Sequence, residues 1–298
     1  MAIVRFKNHK DFLNYFLGWN SELDGFIFRG HSQAKYKLIP TVFRCSYSEK
    51  MDCYTRLKGG ELYYEDKILS QIHYEYLLLR QFYQLADSHG LRVPNSELLR
   101  KTLPSRNDMS WLDLMSSKDG WLPAHLEEVA ALAQHYGIHT RLLDWTYDPF
   151  IALYFALKDW DKSTGPLAIW CLNKDRYIDL KRNHENLSMR FVTPPCFDNP
   201  NLNAQKGIFT YSPTGYDNQH RISIDPRPLQ QIIKSELPDG ANLDYLLKVV
   251  ILPRKLARKA YIEIINHGYG AAKIFPGYKG VSEQILESLK LSDRNITN

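Results

Sequence analysis

The amino-acid sequence predicts an α+β fold, in which one large domain has a mixed or split central β-sheet flanked by helices. Strand-like and helical patterns are interspersed along the chain without the regular alternation that a doubly wound parallel sheet requires. The hydrophobic content of 44% and the aromatic content of 13% are typical of a folded chain. The length of 298 residues fits one large core. We therefore predict a single domain over residues 1–298.

The first elements follow from local patterns. Aromatic residues recur at helical spacing over 12–19, which predicts a short amphipathic helix. The run Phe26-Ile27-Phe28 predicts a strand that leads into Arg29-Gly30-His31. Residues 32–44 are predicted to be irregular, because Pro40 blocks a helix.

Residues 45–121 are predicted to form a helical insert or flap within the domain. Apolar residues at steps of three and four predict a long helix over about 65–87. Glycines and prolines are frequent over 88–121, which indicates a loop.

The middle of the chain contains two further helices. One carries an apolar stripe from Leu126 to Tyr136 and ends at Gly137, a natural C-terminal cap. The other begins at Asp148-Pro149, an N-cap acceptor followed by proline at the first helical position. Residues 150–157 are apolar on every side, so this helix is expected in the middle of the fold.

The C-terminal half is predicted to alternate irregularly between strands and helices. Strands are expected at 167–172, 207–211 and 246–252, and a helix at about 254–267. A last short strand is expected from Ala272 to Phe275, and a final helix after Gly280.

Composition and motif searches exclude several classes of protein. The net charge of +5 is mild and forms no basic tail, and the four cysteines show no C-x-x-C spacing for a zinc site. The N-terminus lacks the pattern of a signal peptide, and no apolar run approaches the ~20 residues of a membrane span. The sequence also lacks dinucleotide-binding, P-loop and serine-hydrolase motifs. We expect a cytoplasmic protein without membrane contact.

Three sequence stretches carry a family resemblance. They are Phe28-Arg29-Gly30-His31, the segment LAQHYGIHTRLLDWT at 132–146 and AQKGIFT at 204–210. Together they resemble the FRG family, which is named for its Phe/Tyr-Arg-Gly motif, and the ALYFAL run at 152–157 also fits. The resemblance implies a setting in mobile elements or phage defence.

A second resemblance implies a mechanism. A strand ending in Arg29, the later strand GIFTYS at 207–212 and a late acidic residue are similar to the Arg–Ser–Glu order of ADP-ribosyltransferases. By this resemblance, Arg29 holds the phosphates of NAD, and Thr210 or Ser212 supplies the hydroxyl. Glu283 is then the catalytic carboxylate that stabilises an oxocarbenium-like transition state, with Glu127 or Glu128 as the alternatives.

The predicted catalytic residues are therefore Arg29 and Glu283. The predicted NAD-binding residues come from all three motif stretches, and no metal site is expected, because His135 and His139 lack the intervening glutamate of a zinc motif. Structural readings remain open: Arg29 could be a buried partner of Asp144, or Arg141 could pair with Asp144 inside the loop. The NAD-binding set is Arg29, Gly30, His31, Gln134, His135, Thr140, Arg141 and Thr210.

Two functional hypotheses follow. The first is an NAD-dependent, ADP-ribosyltransferase-like toxin or phage-defence effector that modifies a macromolecule, either protein or nucleic acid, with an antitoxin or phage protein as a further partner. The second is a non-catalytic module that senses a ligand or partner within a defence system through the cluster around Arg29, Gln134 and Asp144. Whether the protein is an enzyme is left open by the sequence.

Overall fold

We describe a computed structural model of the chain, which covers residues 1–18, 20–44, 67–94, 100, 120–194, 199–216 and 222–292. Trp19, three of the four cysteines and most of the loop predicted over 88–121 lie outside these residues, as does much of the predicted insert or flap at 45–121. Cys171, the fourth cysteine, is buried.

The described residues contain eleven α-helices, two 3-10 helices at Ser21–Leu23 and Thr41–Phe43, and nine strands. The helices are α1 (His9–Asn14), α2 (Lys67–Ser88), α3 (Ala124–His135), α4 (Pro149–Leu157), α5 (Lys174–Asn183), α6 (Pro200–Gln205), α7 (Leu229–Glu236), α8 (Leu243–Leu246), α9 (Arg254–Asn266), α10 (Ala271–Ile274) and α11 (Tyr278–Ser292). The strands are β1 (Ala2–Arg5), β2 (Phe26–His31), β3 (Leu143–Thr146), β4 (Leu167–Asn173), β5 (Arg190–Val192), β6 (Gly207–Tyr211), β7 (Gly215–Tyr216), β8 (Ile222–Ser223) and β9 (Leu247–Leu252).

Seven strands form one mixed sheet in the order β1-β9-β4-β2-β3-β6-β5, and β7 and β8 form a small separate hairpin. Only β1 and β9 are parallel among the described strands of this sheet. Strand β2 pairs with β4 along its whole length, from Phe26 to His31. It pairs with β3 only at Phe28 and Thr146, so the sheet splits between these two strands. This arrangement confirms the predicted α+β domain with its mixed or split sheet.

Alternate residues of β2 belong to two different cores. Phe26 and Phe28 pack with α1, α4 and α9 on one face, whereas Ile27 packs on the other face with Leu38 of the loop that follows. This alternation is what a strand buried on both faces must show. A third core joins α2 and α3 to β5 and β6. Helix α4 and the loop at 32–44 therefore cover opposite faces of β2.

Gly30 allows α4 to lie directly on β2. A Cβ atom at this position would stand 1.9 Å from the Ala152 carbonyl oxygen and 2.8 Å from the Ala156 nitrogen, both of which are backbone atoms of α4. Helix α4 begins as predicted, because the Asp148 side chain accepts a hydrogen bond from the Phe150 amide at 3.0 Å. The glycine of the Arg-Gly motif thus sets the closeness of strand and helix.

One element differs from its prediction. The segment Ala272–Phe275 was expected to be a strand, but Ala271–Ile274 forms a helical turn in which Ala271 and Ile274 are both buried. Burial of residues three apart is helical spacing, and a strand would have buried alternate residues. The final helix begins at Tyr278, two residues before Gly280. Within the described residues, no helix is long and apolar enough to cross a membrane.

We expect Gly30→Ala to destabilise the fold by about 3 kcal/mol, because neither backbone atom that its methyl group meets can rotate away. Urea denaturation measures this change. Gly165→Ala is the matched control, since an added Cβ there meets no atom within 4 Å. Equal stability of the two variants would show that α4 does not depend on close contact at Gly30.

Candidate functional site

A cleft of about 1340 Å³ opens where β2 and β3 separate. It is larger than the ~300–1,000 Å³ of an ordinary small-molecule pocket. Its lining combines residues of β2 and β3, the end of α3, the inner side of α4 and the start of α11. Arg29 lines the cleft together with the two ends of the 134–145 segment, which are Gln134, His135, Tyr136 and Gly137 at one end and Asp144 and Trp145 at the other. Residues 138–143 lie outside the lining, so only part of the predicted wall faces the cleft.

Arg29 bridges the split in the sheet. Its Nη1 donates to the Asp144 carbonyl oxygen at 2.7 Å and lies 3.1 Å from Asp144 Oδ2. Asp144 has no partner in β2, so the guanidinium supplies a donor where strand pairing has stopped. The Arg29 side chain is 15% exposed and that of Asp144 is 56% exposed, so the ion pair faces the cleft rather than the core. Arg29 therefore does pair with Asp144, as the structural alternative held, but the pair lies at the cleft surface and is not buried.

Gln134 fixes the other side of the Asp144 carboxylate. Its Nε2 donates to Asp144 Oδ1 at 2.9 Å and to the Leu142 carbonyl oxygen at 3.1 Å. The Gln134 Oε1 in turn accepts from Thr140 Oγ1 at 2.5 Å. A chain of hydrogen bonds therefore runs from Thr140 through Gln134 and Asp144 to Arg29. These contacts orient the carboxylate that projects into the cleft, and the two ends of the long central motif meet through them.

His31 supports Arg29 from the other side. Its Nε2 accepts from Arg29 Nε at 3.0 Å, and its Nδ1 lies 3.2 Å from the Tyr36 carbonyl oxygen. A carbonyl only accepts, so Nδ1 carries the proton and the imidazole is neutral. Burial, with the nearby positive charge of Arg29 as a second cause, lowers the pKa of His31 to about 3. His31 therefore stays neutral near pH 7 and links Arg29 to the loop that follows β2.

Arg141 does not pair with Asp144, contrary to one of the expectations. Arg141 is 2% exposed, and its Nε and Nη2 donate to the two carboxylate oxygens of Glu75 at 2.7 and 3.0 Å. Its Nη1 donates to the Trp121 carbonyl oxygen and to Thr214 Oγ1. The Arg141 side chain is therefore buried, connects α2 to the central motif, and does not line the cleft.

Thr140 and Thr210 are also buried outside the cleft lining, at 4% and 0% exposure. Thr210 accepts a hydrogen bond from Trp145 Nε1 at 2.8 Å, because β6 lies between β3 and β5 and is covered on both faces. Ser212 likewise lies outside the lining. Of the predicted ligand-binding residues, the cleft is lined by Arg29, Gly30, His31, Gln134 and His135.

The three candidate catalytic glutamates lie in different surroundings. Glu283 of α11 lines the cleft, together with Lys279 one turn earlier. Glu127 accepts a hydrogen bond from Tyr211 and lies 3.6 Å from Arg190, and neither Glu127 nor Glu128 lines the cleft. Of these three residues, Glu283 alone has its side chain at the cleft.

Part of the cleft wall was not predicted from the sequence. Lys35, Tyr36 and Lys37 are consecutive, exposed and part of the lining. Lys158 at the end of α4 also contributes a cation. The alternation of cationic and aromatic residues at 35–37 could have marked these residues as part of a binding site. Their loop has no regular structure, however, so nothing in the sequence indicates that the loop lies beside the 134–145 segment.

Residues 24–165 match the family model of the FRG domain. The matched segment covers nearly half of the chain and contains Arg29, the bridge to Asp144 and α4, and it supports the predicted resemblance to the FRG domain family. A search of curated proteins found no match, and a search of solved structures found none either.

His31 should make the stability of the fold sensitive to acid. The unfolded chain binds a proton at an ordinary histidine pKa of about 6.5, whereas folded His31 stays neutral down to about pH 3. The free energy of unfolding should therefore fall as pH falls below about 6.5, by up to about 1.4 kcal/mol per pH unit from this residue. His31→Gln, which keeps an acceptor for Arg29, should give a shallower dependence in chemical denaturation between pH 6.5 and 4.

The exposed His267 provides the control, and His267→Gln should retain the slope of the original protein. If His31→Gln and the original protein lose stability in parallel, His31 is not the group that resists protonation.

Proposed function

We propose that the cleft binds NAD and that the protein is an ADP-ribosyltransferase-like enzyme acting as a toxin or phage-defence effector. The observation that carries this proposal is that Arg29 and Glu283, which lie 254 positions apart in the sequence, line one cleft. Arg29 is the residue suited to a phosphate and Glu283 the residue suited to a developing positive charge. The FRG match itself does not specify this activity.

The size of the cleft and the sign of its net charge suit a dinucleotide. Six cationic and two carboxylate side chains line it among the described residues, which leaves a formal excess of four positive charges for an anionic ligand. Tyr36 and Tyr136, at 45% and 59% exposure, offer ring faces at its walls. The cations are Arg29, Lys35, Lys37, Arg44, Lys158 and Lys279, and the carboxylates are Asp144 and Glu283.

In the proposed reaction, the bond between the nicotinamide nitrogen and the ribose C1′ breaks, and nicotinamide leaves with the bonding electrons. A nucleophilic atom of the acceptor bonds to C1′, and its proton is released. Arg29 holds a phosphate through the guanidinium edge that Asp144 and His31 leave available. Glu283 stabilises positive charge at the sugar as the bond breaks, and it can take the acceptor's proton.

A second function is favoured by the hydrogen bonds at Arg29. Its Nε and Nη1 are already engaged by His31 and Asp144, and Asp144 is itself held by Gln134. A cluster that is already held in place suits a protein that binds a ligand without catalysing a reaction, because few side chains lose conformational freedom when the ligand binds. The protein would then be an NAD sensor or another ligand-binding module of a defence system.

Two measurements separate these functions. Millimolar NAD should raise the melting temperature, because a ligand that binds only the folded state stabilises it by mass action. NAD labelled in its ADP-ribose part should then transfer label to macromolecules in a cell lysate. Protection without transfer supports the sensor, and the absence of both contradicts the NAD proposal.

Glu283→Gln should reduce transfer by about 10²-fold or more while leaving NAD protection largely intact. The reason is that the carboxylate acts on charge that develops in the transition state and adds little to ground-state binding. Glu185→Gln is the matched control at an exposed glutamate outside the cleft lining, and it should change neither readout. Full transfer by Glu283→Gln would remove Glu283 from the mechanism, and loss of transfer in Asp144→Asn instead would assign the role to Asp144.

A further inference from the structure

The outer edge of the cleft differs in chemistry from its floor. Floor residues such as Phe28, Trp145 and Ala152 are buried and apolar. The exposed residues of the lining include Lys35-Tyr36-Lys37 on one wall and Tyr136 on the wall formed by the end of α3. We call these four residues the cleft rim. It combines two cations with two exposed aromatic rings.

The loop that carries the lysines is held in place by the site itself. The Tyr36 carbonyl oxygen accepts from His31 Nδ1, and the Tyr36 amide donates to the Gln33 carbonyl oxygen at 3.1 Å. Leu38, directly after the lysines, is fully buried, and its carbonyl oxygen accepts from the Leu229 amide at 2.8 Å. The lysine side of the rim is therefore anchored at both ends, and one of its anchors is His31, which also contacts Arg29.

The positive charge of the cleft exceeds what NAD neutralises. The two phosphates of a dinucleotide offset at most two of the four excess positive charges, and the nicotinamide ring adds one of its own. The remaining cations suit a second anionic ligand beside NAD. A single-stranded nucleic acid alternates phosphates with flat bases, and the rim alternates cations with exposed aromatic rings. Proteins that bind single strands without reading their sequence combine the same two kinds of group.

We propose that the cleft rim binds a single-stranded nucleic acid and that this strand is the acceptor of the transferred group. The inference rests on the proposed function for the transfer step, but binding of the strand to the rim can be measured without it. Lys35 and Lys37 contact phosphates, and Tyr36 and Tyr136 stack on bases that approach the cleft from outside. A protein acceptor is the competing outcome.

Fluorescence anisotropy with a labelled single-stranded DNA or RNA of twelve mixed nucleotides tests the binding. The double variant Lys35→Glu/Lys37→Glu should bind about tenfold more weakly or worse, with a smaller dependence of affinity on salt. Lys7→Glu/Lys10→Glu makes the same change in net charge at exposed lysines outside the cleft lining and should bind like the original protein. Equal loss in both double variants would show that net charge alone attracts the strand.

Variants of the two rim tyrosines test the stacking of bases separately from the contacts with phosphates. Tyr36→Ala and Tyr136→Ala should each weaken binding about fivefold or more, as expected for loss of one stacked base. Tyr245→Ala is the control, because Tyr245 is 60% exposed and lies outside the lining. Unchanged affinity in both rim variants would overturn the stacking of bases on the cleft rim.

NAD protection, measured on the same variants, keeps the two proposals distinguishable. If the lysine variants keep NAD protection and lose the strand, the rim is a separate site for nucleic acid. If they lose NAD protection as well, the lysines serve NAD and the inference fails while the proposed function stands. Label that survives nuclease but not protease treatment of the lysate would identify a protein acceptor and would also overturn the inference.

Discussion

The fold and the site both depend on the way in which β2 and β3 pair at one position only. These strands pair at Phe28 and Thr146 and then separate, although each remains paired with its other neighbour. The separation opens the cleft and leaves backbone groups without a strand partner. Arg29 spans the opening and donates to the Asp144 carbonyl oxygen, while Gly30 keeps α4 against β2. The Arg-Gly pair thus has two roles, one in the cleft and one in packing.

Two polar networks, one facing the cleft and one buried, hold the opening in shape. The first runs from Thr140 through Gln134, Asp144, Arg29 and His31 to the Tyr36 carbonyl oxygen. The second joins Arg141 to Glu75 and so ties the central motif to α2. Separating Arg141 from Glu75 would leave a buried charge without a partner, which costs much free energy. The pair therefore holds in place the segment that leads to Asp144. Thr140, Gln134 and Arg141 thus support the segment that carries Asp144, and of these three only Gln134 lines the cleft.

Local patterns predicted elements well where one residue determines an end or a face. Asp148-Pro149 started α4 as expected, Gly137 ended α3 with a φ of +92°, and the apolar run at 167–172 became β4. Contacts between distant segments were not predictable in the same way. Nothing near Arg141 in the sequence indicates Glu75, and Thr210 faces the core only because β6 is covered on both sides. The strand predicted at 272–275 was wrong because the segment forms a helical turn, which depends on the packing of Ala271 and Ile274.

The most direct test of the account is the melting temperature of Arg29→Ala with and without NAD. The variant should stay folded and lose only a few degrees, because water can replace the guanidinium at the largely exposed Asp144 side chain. It should also lose the protection that NAD gives to the original protein. Collapse of the fold would show that the bridge across the split is structural, and full NAD protection in the variant would show that Arg29 does not hold the ligand.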